Sequence, residues 1–500
     1  MNYYYVDSSL SSNGDGSLNT PFNSINSIFS ATIAFPFTVL IKSGTVEKTN
    51  VNQSGNSLLL NSSSEQSFIT KWGLGTNPVL VQKDGSKILF DVMLSNTVVS
   101  HIDFWSNDES QSVNMVHVTA DPLSGNDANV YVDCCNFHTP PQCDSGDALW
   151  ALQVMARADI QKRTNKFGAR NCNFYETTRG VQILGNYNWP TGTEDDNSLE
   201  KWDSYGAVAL NCGFVNVKQD GAVLNFVSSK TTDEDDDYTS KIQGSKYSYT
   251  RWDYKNRYTV AFWTVFCKGA MILDCDVRGQ QGLAADKLAY DFDVMCQNCI
   301  VRRCTSSNNG GGFILAIAYG DNPTEKPKPT TESNYDWYVT KQWGNNGNLV
   351  EDCVSYNDGI YRNQAFGPNS SKIKIEGWIS GLMIKNLKVY DTQSRGGGFD
   401  ILDDCKYSSS DLNGGTVCAI SDSSFNYKRK SVDQSFYFNS DTASSNSSLI
   451  SVNNSSLWSQ AMGDSGLEFN GVTASNPSYS DPGLMSFPDS SPSDLTKLLA

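Results

Sequence analysis

Short runs of alternating hydrophobic and polar residues recur along the chain, and turns containing Gly, Asn or Asp separate them. Alternation with a period of two predicts β-strands, because successive side chains of a strand point to opposite faces. Several segments repeat one local form, in which Cys or Asn precedes a short strand, a turn and a second strand. Three of them read RNCNFYETTRGVQILG from Arg170, LNCGFVNVKQDGAVLNF from Leu210 and QNCIVRRCTSSNNGGGFILAIA from Gln297. The chain is therefore predicted to consist of short strands.

Cysteine marks the repeat. The equivalent positions are Cys172, Cys212, Cys275, Cys299 and Cys353, and the shortest interval between them, from Cys275 to Cys299, is 24 residues. Self-similarity at this period predicts an all-β fold, a right-handed parallel β-helix (β-solenoid) with an N-terminal cap and long inserted loops. Its coils would stack ~4.8 Å apart around one continuous core. A β-sandwich with accidental cysteine spacing is the alternative.

The two ends and three internal stretches depart from the repeat. Residues 1–45 are predicted to form a cap and the first strands, and Thr20 and Pro21 mark the start of a short helix over the first coil. Residues 46–470 would form the β-helix, and the Ser- and Pro-rich residues 471–500 an irregular tail. Aromatic-rich insertions are predicted at 186–204, 228–262 and 319–347. Long loops in a regular array are commonly functional.

Composition narrows the classes of function. The formal net charge of −16 argues against nucleic-acid binding, because phosphates require a basic surface. No stretch approaches 18 consecutive apolar residues, so membrane insertion is not expected. The opening NYYYVD lacks the features of a signal peptide, and a leader removed from the chain would be compatible with the extracellular or cell-surface location that we expect.

The 13 cysteines are odd in number and recur at repeat positions, so they are predicted to be reduced packing residues. The CQNC motif at 296–299 suggests a metal or redox site, but no second Cys or His pair at zinc spacing accompanies it. The acidic run Asp233–Asp237 lacks the ordered ligand pattern of a calcium loop and is interpreted as a solvated loop. No cofactor is predicted to be required, and Ca²⁺ is an unsupported alternative.

Alternation in the second strand of each coil assigns the faces of its residues. The residues predicted to point inward are Val181, Ile183, Leu224, Phe226, Tyr290, Phe292 and Val294. The residues between them would form an outward polar row of Gln182, Asn225, Asp291, Asp293 and Asp400, and the segment GIYRNQAF adds Arg362. The three insertions leave the coils beside this strand and carry Trp252, Trp337 and Trp343.

A polar row between aromatic loops is typical of a carbohydrate-binding groove. Aromatic rings stack on the apolar faces of sugars, whereas amides and carboxylates bind sugar hydroxyls. The predicted substrate-binding residues are Gln182, Asn225, Trp252, Trp337, Trp343, Arg362 and Asp400. The predicted catalytic residues are the three carboxylates that lie close together in sequence at the groove strand, Asp286, Asp291 and Asp293.

Neighbouring carboxylates repel each other, which raises the pKa of at least one and supplies the proton donor that a glycosidase needs. Asp291 and Asp293 are two residues apart, so on a regular strand they would lie about 6.6 Å apart, near the spacing of inverting enzymes. Asp286 precedes the strand, and a turn that brings it to about 5 Å from Asp293 would give the retaining spacing. Both outcomes remain open on spacing alone.

The opening YYYVDSSLSSNGDGSLNTPFNSI and the terminal NPSYSDPGLMSF resemble the first coil and tail of bacterial parallel β-helix enzymes that act on polysaccharides. The segment DKLAYDFD, followed by NCIVRRCTSSNNGGGF, is similar to glycoside hydrolase family 136, the lacto-N-biosidases, in having two aspartates seven residues apart. The resemblance implies that Asp286 is the acid/base, that Asp293 is the nucleophile and that configuration is retained.

We therefore expect a glycoside hydrolase that cleaves an oligo- or polysaccharide, without a metal and as a monomer or trimer. Two alternatives share the solenoid: a phage tailspike that binds or depolymerises glycans on the virion, and a polysaccharide lyase. A lyase would need a basic residue beside an acidic substrate, for which Arg395 and Lys374 are available outside any recognisable motif.

Overall fold

The computed structural model describes residues 1–52, 58–84, 86, 88–106, 115–122, 125, 127–139, 150–157, 163–186, 204–249, 260–280, 288–318, 344–358, 373–377, 379–391, 399–401, 416–427, 437–440, 450–459, 468–469 and 472–475. Within these ranges one short helix, α1 (Ile25–Ser30), accompanies 46 strands. The chain passes repeatedly through three long sheets, A, B and C, so that a typical coil gives one strand to each sheet.

Sheet A contains, in spatial order, β1 (Asn2–Val6), β2 (Phe37–Lys42), β6 (Ser67–Trp72), β9 (Thr97–Ser100), β12 (Asp127–Asp133), β15 (Asn165–Arg170), β19 (Ala207–Leu210), β23 (Lys241–Gln243), β26 (Met271–Leu273), β29 (Ile300–Arg302), β33 (Leu349–Glu351), β37 (Leu382–Lys385), β40 (Cys418–Ser421), β43 (Ile450–Asn453) and β46 (Val472–Ser475). Sheet B contains β3 (Val46–Thr49), β7 (Val79–Gln82), β10 (Asp103–Trp105), β13 (Asn136–His138), β16 (Asn173–Tyr175), β20 (Gly213–Val215), β24 (Lys246–Ser248), β27 (Asp276–Arg278), β30 (Thr305–Ser307), β34 (Val354–Tyr356), β38 (Lys388–Asp391), β41 (Ser424–Tyr427) and β44 (Ser456–Ser459).

Sheet C contains β4 (Val51–Asn52), β8 (Phe90–Ser95), β11 (Val116–Ala120), β14 (Trp150–Ala156), β17 (Arg179–Leu184), β21 (Ala222–Asn225), β25 (Phe262–Val265), β28 (Tyr290–Phe292), β31 (Ile314–Ile317), β35 (Ile373–Glu376), β39 (Phe399–Ile401), β42 (Tyr437–Ser440) and β45 (Glu468–Phe469), and β5 (Leu58–Leu60) also pairs with β8. Two short pairs are β18 (Ser204–Tyr205) with β22 (Val227–Ser228) and β32 (Asn345–Asn346) with β36 (Ile379–Ser380).

Each strand of these sheets pairs in parallel with the strands of the preceding and following coils, as β14 does with β11 and β17. This arrangement is a parallel β-helix, so the predicted fold is confirmed and the β-sandwich is excluded. In each of the three sheets, parallel pairing gives every inner strand two hydrogen-bonded neighbours. The backbone N–H and C=O groups of these strands thus find hydrogen-bond partners.

The core runs along the inside of the coils as one cluster of buried apolar side chains. Phenylalanines of sheet B stack within it: Phe137, Phe174 and Phe214 occupy the same register position, and their ring centroids are 4.8 and 4.9 Å apart. Stacking at this distance follows from the spacing of parallel strands, which places identical side chains directly above one another.

The corner between sheets A and B explains most of the cysteine repeat. Cys172, Cys212, Cys275 and Cys353 each follow a residue with positive φ, such as Asn171 at 53°, and each is buried. In the coil between those of Cys275 and Cys353, the cysteine between β29 of sheet A and β30 of sheet B is Cys304, after Arg303 at 52°, so the assignment of Cys299 to the repeat was wrong. Cys299 precedes β29, and its thiol donates to the Cys267 carbonyl at 3.6 Å. Burial raises the pKa of the Cys172 thiol well above its ordinary value.

The N-terminal helix begins later than predicted. Ser24 is its N-cap, and the Ser24 side chain accepts from the Asn26 N–H at 3.0 Å. Thr20 instead belongs to the preceding turn, where its hydroxyl donates to Asp15 at 2.5 Å. Ile25 and Ile28 of α1 are buried in the core cluster, so the helix covers the first coil as expected.

Two of the predicted segments, one insertion and the tail, contain strands of the regular sheets. The stretch 228–262 contains β23 and β24, which are regular members of sheets A and B, and only the residues around them can be inserted. The predicted tail 471–500 contains β46, which pairs with β43. Among the described residues, no helix has the length and hydrophobicity needed to cross a bilayer.

Candidate functional site on the outer face of sheet C

One column of register positions runs along sheet C. On each strand, the residue of this column alternates with inward-pointing residues, which lie in the core as predicted, such as Val181, Ile183, Leu224, Tyr290 and Phe292. The column consists of Asp91, His117, Gln153, Gln182, Val223, Trp263, Asp291, Leu315, Lys374 and Asp400. Of the predicted outward row, Gln182, Asp291 and Asp400 share this column.

Asn225 belongs to a neighbouring column, two residues further along the strand, where it pairs with Leu184 and Val265. The predicted row was therefore wrong at this point. Val223 and Trp263, rather than amides, separate Gln182 from Asp291. The stripe is polar at both ends and apolar in the middle.

Asp293 lies in neither column, because β28 gains one residue relative to β25. Thr264 pairs with Phe292, but the Phe266 N–H donates to the Val294 carbonyl at 2.8 Å, one residue beyond regular register. Met295 thus takes the place of Phe266, and both have a positive φ, 60° and 53°. An inserted residue of this kind interrupts alternation. The expectation that strict alternation continues through Val294 is therefore wrong.

The same extra residue moves Val294 out of the core. Val294 joins an outer patch, a separate cluster of apolar side chains outside the core cluster. The outer patch consists of Trp150, Val223, Trp263, Val265, Phe266, Val294 and Met295. Phe226, also predicted to be inward, is absent from the core cluster and stacks on Phe266 with ring centroids 4.5 Å apart.

Asp291 lies between apolar residues of the two neighbouring strands. It pairs in register with Trp263 on one side and Leu315 on the other, and only 4% of its surface is exposed. Asp293 is half-buried, and its Oδ1 accepts from the Val294 N–H at 2.7 Å. One aspartate is therefore buried between an aromatic and an aliphatic residue, and the other is oriented by the backbone of the bulge.

Two buried polar atoms on neighbouring strands of sheet C have no hydrogen-bond partner among the described residues. They are the indole Nε1–H of Trp263, which pairs in register with Asp291, and the amide Oδ1 of Asn225. Trp263 and Asn225 lie on adjacent strands, in the two outer columns. Buried polar atoms are nearly always hydrogen-bonded, so an unpaired donor and an unpaired acceptor on neighbouring strands indicate a place where a ligand supplies both.

The N-terminal part of the column is polar and internally bonded. His117 Nδ1 lies 2.9 Å from Asp91 Oδ1, and Gln153 donates to Gln182 Oε1 at 2.5 Å. The residues of the column that were not predicted from the sequence include Asp91, His117, Gln153 and Trp263. Trp263 was detectable, because it lies between Phe262 and Thr264 in the alternating segment AFWTVF.

At one edge of the sheet, Arg179 opens β17 and forms an ion pair with Asp220, Nε to Oδ2 at 2.9 Å. The same Nε–H also donates to Gln219 Oε1 at 2.9 Å, and the guanidinium lies 5.3 Å from the ring centroid of Trp150. A cation is thus held beside the outer patch.

Several predicted site residues lie outside the described residues: Asp286, Trp252, Trp337, Trp343 and Arg362. The chain segments that carry four of them join sheet C directly. Segments 250–259 and 281–287 precede β25 and β28, and segment 319–343 follows β31. Connectivity therefore attaches these segments to the strands that carry Trp263, Asp291 and Leu315.

The described residues contain no group of three or more His, Cys, Asp or Glu side chains that could hold a metal ion. Cys296 and Cys299 of the CQNC motif are free thiols. In the acidic run, Glu234 is ion-paired, 2.6 Å from both Arg302 and Arg303. This segment is anchored to sheet A rather than simply solvated.

No protein-family model matches the sequence. No curated protein matches it either. Among solved structures, the native glycoside hydrolase family 136 lacto-N-biosidase from Eubacterium ramulus aligns with a TM-score of 0.50 at 14% identity, over 78% of this chain and 64% of that chain. Its selenomethionine derivative aligns with a TM-score of 0.50 at 12% identity, over 84% and 67%. The catalytic domain of a family 87 alpha-1,3-glucanase gives a TM-score of 0.38 at 11% identity, over 96% and 65%.

At these identities the likeness to the lacto-N-biosidase is one of fold. The chain spans less than two thirds of the length of the native enzyme with which it aligns. Both chains share the β-helix, and the chemistry of this chain must be argued from its own residues.

Proposed function

We propose that this protein is a glycoside hydrolase whose substrate binds on the outer face of sheet C, around Trp263, Asn225 and Asp291. The observation that carries the proposal is a pair of buried polar atoms without partners among the described residues, Trp263 Nε1–H and Asn225 Oδ1, of which Trp263 pairs in register with Asp291. The shared fold with a lacto-N-biosidase supports it, since that enzyme acts on glycans with the same architecture.

A sugar fits the unpaired atoms better than other ligand classes. A hydroxyl group both donates and accepts, so one sugar can satisfy the Trp263 N–H and the Asn225 oxygen together. The outer patch supplies the apolar surface on which the less polar face of a sugar ring packs. A phosphate or another anion would approach Asp291 against charge repulsion, which disfavours it.

The proposed catalysts are Asp293 as nucleophile and Asp286 as acid/base, with retention of configuration. Asp293 is suited to its role because the bulge fixes it twice: its N–H donates to the Thr264 carbonyl at 2.9 Å, and its carboxylate accepts from the Val294 N–H. Asp286 lies on segment 281–287, which leads into β28. Asp291, which lies between Asp286 and Asp293 in the sequence, is proposed to bind a sugar hydroxyl.

In the first step, the Asp293 carboxylate attacks the anomeric carbon while Asp286 gives its proton to the departing glycosidic oxygen. The carbon–oxygen bond to the leaving group breaks, and a glycosyl ester forms. In the second step, Asp286 removes a proton from water, whose oxygen attacks the anomeric carbon and releases Asp293. Neither step of the proposed reaction uses a redox partner or a metal.

The test begins with a panel of aryl glycosides and oligosaccharides, followed by the active substrate with three variants. Asp293→Ala should lose turnover by at least about 100-fold, and added azide should restore it with a glycosyl azide of inverted configuration. Asp286→Ala should give an azide product of retained configuration. Asp84→Asn, at a highly exposed side chain, is the control and should behave as the parent protein.

Near-parental turnover by Asp293→Ala would remove Asp293 from the mechanism. A product with a new ultraviolet-absorbing double bond, instead of a new reducing end, would establish a lyase. Binding without either product would establish a glycan receptor of the tailspike kind. Size-exclusion chromatography with light scattering distinguishes a monomer from a trimer, both of which are proposed, and detection of the native protein outside the cell tests the proposed extracellular location.

A further inference from the structure

A hollow of about 270 Å³ lies on the outer face of sheet B, on a different sheet from the site proposed above. It opens over Gly213, and its rim includes Asn173, Lys246, Asp276 and Arg278. These residues belong to β16, β20, β24 and β27, so the hollow spans four neighbouring coils. At ~4.8 Å per coil, this corresponds to about 14 Å along the solenoid.

The hollow exists because a ladder of polar side chains is interrupted. Asp103, Asn136 and Asn173 occupy one register position in successive coils, and Gly213 is next. Asn136 donates to Asp103 Oδ1 at 2.7 Å, and Asn173 donates to Asn136 Oδ1 at 3.0 Å. Gly213 has no side chain to donate to Asn173 in turn. The ladder therefore ends at the hollow.

Beyond the gap, the same register position continues with charged residues. Lys246 is exposed and forms no ion pair among the described residues. Asp276 accepts from Arg278 Nε at 2.6 Å and from the Thr305 hydroxyl at 2.7 Å. An amide, an ammonium group and a paired carboxylate thus face one small space.

We propose that this hollow is a second glycan-binding site, which holds a single sugar residue at the end or branch of a chain. Its volume lies near the lower limit of ligand pockets, about 300–1,000 Å³, and so fits one ring rather than several. Donors and acceptors alternate around the rim, as hydroxyl groups require. The Asp276 carboxylate disfavours a phosphate, and the polar rim disfavours an apolar ligand.

One aliphatic side chain borders the same space. Val215 is among the lining residues and lies on the outer face of β20, whereas the rings of Phe214 and Tyr247 are buried in the core cluster on the other face. The less polar face of a sugar ring can rest on Val215 while its hydroxyls reach the rim. The site would bind a long substrate at a second point, on sheet B rather than on sheet C. This proposal does not depend on whether sheet C is catalytic.

The decisive variant is Gly213→Asn. Its backbone is not in the left-handed region, and asparagine already occupies the same register position in the two preceding coils. The new side chain should continue the ladder, keep the fold and fill the hollow. Lys246→Met removes the ammonium group, and Lys388→Met, at the same register position four coils further on, is the matched control.

Binding is measured by glycan microarray and by retardation in native gels that contain soluble glucan, galactan or mannan. The tightest oligosaccharide is then titrated calorimetrically into protein carrying Asp293→Asn, so that turnover does not interfere. Gly213→Asn and Lys246→Met should each weaken binding by about tenfold or more, and Lys388→Met should not. The melting temperature of Gly213→Asn should equal or exceed that of the parent.

Parental affinity in a folded Gly213→Asn protein would overturn the proposal, as would the absence of binding to every glycan. Turnover of a small aryl glycoside should be the same with and without Gly213→Asn. Loss of turnover in the Asp293 variants with intact glycan binding concerns sheet C only, so the two proposals can fail separately.

Discussion

Phe174 lies in the middle of the phenylalanine ladder in the core, and it offers a direct test of what stabilises the solenoid. Its ring is fully buried between Phe137 and Phe214, and it is nearly parallel to both, at 9° and 6°. Every coil in this region depends on the same contact with its neighbours. Truncation of one ring should therefore loosen three coils together.

Two substitutions separate burial from stacking. Phe174→Ala should destabilise the protein by ~3–5 kcal/mol, because a large buried side chain is removed and a cavity remains. Phe174→Leu keeps most of the apolar volume but loses stacking on both faces. At ~0.5–1.5 kcal/mol for each aromatic pair, this change should cost about 1–3 kcal/mol.

The assay is guanidinium unfolding followed by tryptophan fluorescence, with comparison of the midpoint and the slope. Tyr3→Ala is the control, because Tyr3 is 56% exposed and should contribute no more than about 0.5 kcal/mol. Stacked repeats can unfold in parts, so a lower slope with an unchanged midpoint would indicate local opening. If Phe174→Leu unfolds like the parent, or Phe174→Ala like Tyr3→Ala, the ladder does not contribute as argued.

Two further predictions concern buried and paired carboxylates. Asp358 is fully buried and accepts hydrogen bonds from Ser306, from Ser355 at 2.6 Å, and from the backbone and side chain of Asn309 at 3.1 and 2.9 Å. Asp358→Ala should lower the free energy of unfolding by several kcal/mol, because each donor left without its acceptor costs ~1–3 kcal/mol. Asp358→Asn should lower it by less. Hydrogen bonds from Arg303 lower the pKa of Glu234 below its ordinary 4.5, so its contribution is present above that pH and is lost as the pH falls through the lower folded value. The hydrogen-exchange protection factors of residues 229–240, which relate the observed rate to the intrinsic rate at each pH, should therefore fall on acidification, whereas Glu234→Gln should show low protection factors at every pH. A parent protein whose protection factors do not change with pH would contradict the role of the ion pair.

The pattern of residues along the chain is enough to predict the architecture and most of the inner face. Period-two alternation places Val181, Ile183 and Phe292 in the core, because a strand that buries one face must repeat apolar residues at every second position. The corner cysteines follow from the same regularity. These features depend only on local order along the chain, so they can be read without knowledge of the neighbouring coil.

The contacts between residues of different coils depend on how the coils pair in space. One extra residue before Met295 sends Val294 outward and takes Asp293 out of the row. Cys304, rather than Cys299, completes the corner, and Trp263, rather than Asn225, lies beside Asp291 in register. The physical reason is that register between coils is set by hydrogen bonds across loops of unequal length, and a shift of one residue exchanges the two faces of a strand.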